Sequence, residues 1–155
     1  GDRLPSATLT IMTAEGPKPL TTAELCEGKK VVLFAVPGAF TPTCSVQHLP
    51  GYVENAQSLK DRGVDAVACV SVNDPFVMGA WGKDREVGED LMMLSDGNGD
   101  FTAAIGLEMD GSGFGLGTRS QRYAMIIDDG VVSTLNVESG PGLDVSSAET
   151  ILSEL

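Results

Sequence analysis

The chain has 155 residues, 42% hydrophobic and 21% charged, which predicts one domain spanning residues 1–155 with a substantial core. Ten Lys and Arg against 22 Asp and Glu give a formal net charge of −12, which argues against nucleic acid and anionic membranes as partners. No apolar run approaches the roughly 20 residues that span a bilayer, and the first residues do not form a signal peptide.

The number of cysteines indicates the redox state of the compartment in which the protein works. The chain contains three cysteines, and an odd, low number in a chain of this length is not typical of a secreted disulfide framework. We therefore expect an intracellular, reducing compartment. This is the cytoplasm or, if a transit peptide has been removed, an organelle such as a plastid or mitochondrion.

The first third of the chain leads to a buried strand. Residues 8–11 predict an edge strand, residues 15–19 a turn, and residues 21–25 a short capped helix that Gly28 ends. The continuous apolar run of residues 31–36 is rich in β-branched side chains, which favours a central strand buried on both faces.

A cysteine follows this strand at the start of a predicted helix. A turn rich in Pro, Gly and Thr leads to Cys44, and residues 45–59 have the apolar spacing of an amphipathic helix. Pro50 and Gly51 lie inside this helix and should kink it or reset its first turn. The free N–H groups and dipole of a helix N-terminus favour negative charge, so a cysteine placed there tends to be a reactive thiolate.

The rest of the chain alternates strands and helices. Its predicted elements are a strand over 64–72, a helix from Asn73-Asp74-Pro75 to 83, a strand over 91–95, a helix over 101–105, a Gly-rich loop over 110–117, a hairpin of 123–127 with 131–135 around Asp129-Gly130, and a C-terminal helix capped near Ser146-Ser147. This order predicts an α/β fold with a mixed central sheet and helices on both of its faces.

Other ligand-binding patterns are incomplete. Asp96, Asn98 and Asp100 have the spacing that begins a calcium loop, but Phe101 stands where that loop needs Gly. One histidine and scattered cysteines argue against zinc, and no Cys-x-x-Cys pair is present. We expect no metal and no organic cofactor.

Several motifs resemble one family. The spacing Pro37-x-x-x-Thr41-x-x-Cys44 resembles the active-site motif of peroxiredoxins. Further stretches resemble the type II group of this family, which comprises plant type II and atypical two-cysteine enzymes. The matching stretches are residues 37–45, 48–52, 71–78, 80–81 and 115–124. The resemblance covers nearly the whole chain and implies a thioredoxin-like fold that reduces peroxides through a cysteine without a cofactor.

The resemblance also implies roles for individual residues. Cys44 would be the peroxidatic nucleophile, and Thr41 would hydrogen-bond to its thiolate or to the peroxide. Arg122 would hold the thiolate and donate to the peroxide, while Pro37 would shield the sulfur from water. Arg119 is a candidate supporting residue.

Other residues leave alternatives open. His48 lies four residues after Cys44, and we favour a hydrogen-bonding or structural role over general-base catalysis. Cys69 stands where some plant type II members have a resolving cysteine, but its strand also fits a core thiol. Val145 stands where animal-type members carry their resolving cysteine, so that disulfide is absent, and Cys26 has no assigned role.

The predicted function is a thiol-dependent peroxidase. The Cys44 thiolate would reduce hydrogen peroxide or an alkyl hydroperoxide and become sulfenic acid. Glutaredoxin with glutathione, or thioredoxin, would regenerate the thiol, and the family implies a homodimer. The alternative is a redox-relay protein that senses peroxide through the same sulfenic acid with little turnover.

Overall fold

The computed structural model describes residues 1–140 and 142–155. The strands of this part of the chain are β1 (Thr8–Thr13), β2 (Gly16–Thr21), β3 (Lys30–Ala35), β4 (Ala66–Ser71), β5 (Met92–Ser95), β6 (Glu108–Asp110), β7 (Thr118–Ser120), β8 (Tyr123–Asp128) and β9 (Val131–Val137). The α-helices are α1 (Thr22–Cys26), α2 (Leu49–Asp61), α3 (Pro75–Asp84), α4 (Asp100–Ala104) and α5 (Ala148–Ser153). A π-helical turn (Cys44–His48) precedes α2, and a 3-10 turn (Ser112–Phe114) lies between β6 and β7.

The main sheet has the strand order β2-β1-β5-β4-β3-β8-β9 in the described part of the chain. The pairs β3–β4 and β4–β5 are parallel, and the other neighbours are antiparallel. The apolar strands β3 and β4 lie in the middle because their side chains are buried on both faces of the sheet.

Helices cover both faces of this sheet, as the alternation of elements predicts. One core layer contains Phe34, Cys44 and Cys69 together with apolar side chains of α2, α3 and α5. The opposite layer contains side chains of β3 and β4 together with α1 and α4. The predicted mixed α/β fold is therefore confirmed.

The predicted turn over residues 15–19 is wrong, because Gly16–Thr21 forms β2 at the edge of the sheet. Prolines at 17 and 19 concealed it, since proline cannot donate to a ladder and is tolerated on edge strands. The Gly-rich loop is also more ordered than predicted, since β6 and β7 pair on either side of the 3-10 turn.

The predicted hairpin is confirmed and sets the geometry of the site. Asp129 and Gly130 both have positive φ, 48° and 81°, as a tight primed hairpin turn requires. The turn pairs Tyr123 at the start of β8 with Val137 at the end of β9. The residues that flank these strands, Arg122 and Glu138, therefore lie at the same edge of the sheet.

No helix among the described residues has both the length and the apolar character that a membrane crossing needs.

Candidate active site

The sheet brings distant residues together at one edge. Ala35 at the end of β3 pairs with Tyr123 at the start of β8. Arg122 therefore lies beside the loop that leaves β3, although 78 positions separate it from Cys44. Glu138 follows β9 at this edge, and its backbone N–H donates to the Arg122 carbonyl over 3.0 Å. A cysteine, an arginine and a carboxylate thus come from three separate segments.

The loop after β3 is held by the end of β4. The Ala39 N–H donates to Asn73 Oδ1 over 3.0 Å, and the Ser71 hydroxyl donates to the same oxygen over 2.6 Å. Phe40 has φ of 65°, a left-handed conformation that is unfavourable for a bulky side chain. Strained backbone of this kind clusters at functional sites and persists only where neighbouring contacts fix it.

Cys44 lies in the first turn of a helical segment and is fully buried. The predicted helix is confirmed, but it opens with a π-helical turn before α2 begins at Leu49. The Leu49 N–H donates to the Cys44 carbonyl, five residues back. Pro50 follows and has no N–H for the Val46 carbonyl, so it fits the predicted reset of the helix at this point.

Arg122 contacts the sulfur directly. Its Nη2 lies 3.1 Å from Cys44 Sγ, and its Nη1 lies 2.9 Å from His48 Nδ1. The guanidinium is nearly buried, with 8% of its residue surface exposed. Because a guanidinium is always charged, this contact places a permanent positive charge beside the sulfur.

His48 is a neutral imidazole with both nitrogens occupied. Its Nδ1 must accept from the Arg122 donor, so Nε2 carries the proton that it donates to the Ser146 carbonyl over 3.0 Å. Burial, with the Arg122 charge adding to it, lowers the pKa of His48 to about 3. No ring nitrogen is left to take a proton from Cys44, and this geometry fits the hydrogen-bonding role rather than general-base catalysis.

Thr41 and Pro37 lie on the loop that leads to Cys44. Both line a groove of about 680 Å³ that also reaches Arg122. The Thr41 hydroxyl donates its proton to the Gly38 carbonyl over 2.7 Å. Towards a peroxide it can therefore only accept a hydrogen bond.

Arg119 acts on the same loop from behind. Its Nη1 donates to the Pro37 carbonyl over 3.3 Å, and its Nε donates to the Leu116 carbonyl over 2.9 Å. A Cβ at position 38 would lie 3.1 Å from both Arg119 Nη1 and Thr41 Cγ2, so a side chain there would require one of them to shift by a few tenths of an ångström. These contacts place Arg119 behind the loop, where it supports Pro37.

The other two cysteines are buried free thiols. Cys69 lies on β4 in the same core layer as Cys44 and has no exposed surface. Burial raises the pKa of its thiol well above the ordinary value, and the neighbouring Cys44 adds to the rise. Cys26 lies in the opposite layer, where burial raises its pKa to about 11. Across the described residues, no cluster of three or more His, Cys, Asp and Glu is placed to hold a metal ion.

Sequence analysis missed three contributors to this site. Ser146 and Tyr52 lie behind His48 in the segment before α5 and in α2, and Glu138, which also lines the groove, binds Ser146. Ser146 was grouped with Ser147 as a helix cap, but only the Ser147 hydroxyl accepts from the first turn of α5. The role of Ser146 depends on its backbone carbonyl, which any residue type has, so the sequence carries no signal for it.

Comparison with known proteins gives consistent matches. A family model described as Redoxin matches residues 1–152. The chloroplastic peroxiredoxin-2E-2 of Oryza sativa subsp. japonica is 56% identical over 160 residues, which cover 100% of this chain and 71% of the relative. Peroxiredoxin-2B of Arabidopsis thaliana is 49% identical over 158 residues, covering 100% of this chain and 96% of the relative. The crystal structure of reduced Prx3 from Vibrio vulnificus in complex with H2O2 has a TM-score of 0.95 at 60% identity and covers 99% of this chain and 96% of that one.

Proposed function

Because the chain belongs to the peroxiredoxins of type II, which are thiol-dependent peroxidases, we propose that Cys44 is its peroxidatic nucleophile. The observation that carries the proposal is the 3.1 Å contact from Arg122 Nη2 to Cys44 Sγ inside a buried site. The groove lined by Pro37, Thr41 and Arg122 supplies a route for the peroxide. The H2O2 bound by the Vibrio vulnificus relative supports hydrogen peroxide as a substrate.

The chemistry follows from these contacts. The Cys44 thiolate attacks one peroxide oxygen, a sulfur–oxygen bond forms and the oxygen–oxygen bond breaks. The leaving hydroxide or alkoxide takes a proton and departs as water or alcohol, while Cys44 becomes sulfenic acid. The Arg122 guanidinium stabilises the negative charge that spreads over the reacting oxygens, as a preorganised donor does in a water-poor site.

Thr41 and Pro37 orient the substrate in this proposal. The Thr41 hydroxyl has given its proton to Gly38, so its lone pairs accept from the O–H group of a protonated peroxide. A hydroxyl that can only accept selects the uncharged, protonated peroxide and disfavours binding of a peroxide anion beside the thiolate. Pro37 lines the entrance and limits the access of water to the sulfur.

An external thiol completes the cycle in this proposal. Glutaredoxin with glutathione, or thioredoxin, attacks the Cys44 sulfenic acid, releases water and then reduces the mixed disulfide. Cys69 is poorly suited as the resolving thiol in the folded state, because it is buried on a central strand and protonated. The odd, low number of cysteines supports a reducing compartment, cytoplasmic or within an organelle.

Substitution of the cysteines tests the proposal. We expect Cys44→Ser to abolish peroxide reduction, whereas Cys26→Ser, a matched change in the opposite core layer, should retain it. The mass of the oxidised protein should show a trapped sulfenic acid on Cys44. A loss of two hydrogens mapped to Cys44 and Cys69 would instead assign resolution to Cys69, and turnover by Cys44→Ser would overturn the proposal.

A further inference from the structure

The Ser146 carbonyl is a shared acceptor behind the site. It accepts from His48 Nε2 over 3.0 Å and from the Tyr52 hydroxyl over 2.8 Å. Ser146 has no exposed surface, and both donors are buried as well. Buried donors need partners, so the position of this one oxygen decides whether the His48 N–H is satisfied.

Glu138 holds the residue that carries this carbonyl through its N–H and its side chain. Its Oε2 accepts from the Ser146 N–H over 2.8 Å, from the Ser146 hydroxyl over 2.6 Å and from the Asp144 N–H over 2.9 Å. Burial alone would raise the pKa of Glu138, but these hydrogen bonds lower it below its ordinary value. Glu138 is therefore an ionised anchor that turns the Ser146 carbonyl towards His48.

We propose that Glu138 and Ser146 are positioning residues for peroxide reduction, which fix the His48 tautomer that holds Arg122 against Cys44. The proposal rests on the proposed roles of Cys44 and Arg122. The Ser146 carbonyl can only accept, so it requires the proton of His48 to reside on Nε2. The unprotonated Nδ1 then accepts from Arg122 Nη1 and leaves Nη2 aimed at the sulfur.

Loss of the anchor has a definite chemical consequence. If the Ser146 carbonyl turns away, the buried Nε2–H loses its acceptor, only the Arg122 contact still favours this tautomer, and a proton on Nδ1 becomes competitive. That nitrogen would then face the guanidinium as a donor facing a donor, and the 2.9 Å contact would be lost. Arg122 would retain its charge but lose its orientation, and misplacement by about 1 Å slows well-aligned reactions by up to about 100-fold.

The test uses Glu138→Ala, with Ser147→Ala as the matched control. Ser147 caps α5 through its hydroxyl and has no hydrogen bond to His48, so its loss weakens the same segment without touching the anchor. The first readout is the second-order rate constant for oxidation of reduced Cys44 by H2O2. The second is the ¹⁵N spectrum of the imidazole, which is unambiguous because the chain has one histidine.

We expect Glu138→Ala to slow oxidation of Cys44 by roughly 10-fold and to convert the single Nε2-protonated spectrum into a mixture of tautomers. Ser147→Ala should change neither. If Glu138→Ala does not fold, the Ser146→Ala variant provides the test. It removes only the 2.6 Å hydroxyl contact with Glu138, and it should also slow the oxidation of Cys44, by a few-fold.

Two results would overturn the proposal. One is an unchanged rate constant in Glu138→Ala, or in Ser146→Ala where the first variant does not fold. The other is a slower reaction with the His48 tautomer unchanged, which would assign Glu138 a purely structural role. Peroxide turnover by Cys44→Ser would instead remove the proposed function itself, so the two failures are distinguishable.

Discussion

His48 is the residue at which burial, charge and hydrogen bonding meet. Its ring lies 4.8 Å from that of Phe34 and 5.5 Å from that of Tyr52, and only 1% of the residue surface is exposed. An imidazolium there would be desolvated and would face the Arg122 cation. The folded protein therefore keeps His48 neutral under conditions in which the unfolded chain protonates it.

This difference predicts a pH dependence of stability. The folded pKa of His48, about 3, lies below the ordinary value of 6.5, so the unfolded state binds the additional proton as pH falls. Stability should be fully present above pH 6.5 and should fall below it. We expect a loss of about 2 kcal/mol in the free energy of unfolding between pH 7 and pH 5, measured by urea denaturation.

The variant His48→Gln provides the comparison. Glutamine stays neutral and can both accept from Arg122 and donate towards Ser146, so its free energy of unfolding should change little over the same range. His48 is the only histidine, and most carboxylates titrate below this pH window. A pH dependence between pH 7 and pH 5 can therefore be assigned to His48. An equal pH dependence in the variant and the wild type would show that His48 is not the cause.

Residues with a distinctive side chain were predictable at this site, and residues that act through the backbone were not. The motif around Cys44 marked Pro37 and Thr41, and the resemblance marked Arg122, whose distance in sequence the sheet register explains. The contribution of Ser146 depends on where its carbonyl points, and that direction is set by Glu138 after the chain has folded.

At the scale of elements, the N-terminus of α4 is capped by a carboxylate from outside the helix. Its N-terminal Gly99 offers no side-chain cap. Asp96 accepts instead from the Phe101 N–H, the Thr102 N–H and the Thr102 hydroxyl, at 3.1, 2.8 and 2.7 Å. A five-residue helix is not stable alone, so this carboxylate helps to fix α4 against the sheet.

Removal of this carboxylate should destabilise the fold. In Asp96→Ala, two buried N–H groups and one hydroxyl lose their acceptor, which should lower the free energy of unfolding by about 3 kcal/mol. Asp100→Ala is the matched control, since Asp100 lies exposed in the first turn of α4 and should lose less than about 1 kcal/mol. Equal losses in guanidinium denaturation would contradict the assignment of Asp96 as the cap.

The elements that sequence analysis missed lack strong local signals. Strand β2 contains two prolines and forms through pairing with β1 alone, at the edge of the sheet. The three-residue strands β6 and β7 form because Gly117 accepts from Gly111 and closes the 3-10 turn between them. The strong apolar runs of β3 and β4 were predictable because burial on both faces leaves a continuous pattern in the sequence.

At the scale of the whole molecule, exposed apolar side chains lie on the segments before and after Cys44, at the start of α3 and in the groove. Phe40 and Val46 lie on the loop and the π-helical turn that surround Cys44, and their exposed fractions are 51% and 66%. Phe76 begins α3 with 66% exposed, and Phe114 lines the groove with 88% exposed. Isolated exposed apolar residues are ordinary, but Phe40 also lies 6.4 Å from Trp81 of α3, which links the loop and α3 in one candidate interaction surface.

We expect this surface to join two copies of the chain, and a charge placed on it should separate them. Val46→Glu combined with Phe76→Glu should convert a dimer into a monomer in sedimentation velocity measurements. Because each copy carries a net charge of −12, added salt should tighten the wild-type dimer by screening repulsion between the copies.

Leu135→Glu is the matched control, since Leu135 is 45% exposed on β9 and lines a different groove. A wild-type monomer at all protein concentrations, or equal dissociation by the control, would assign the apolar surface to another partner.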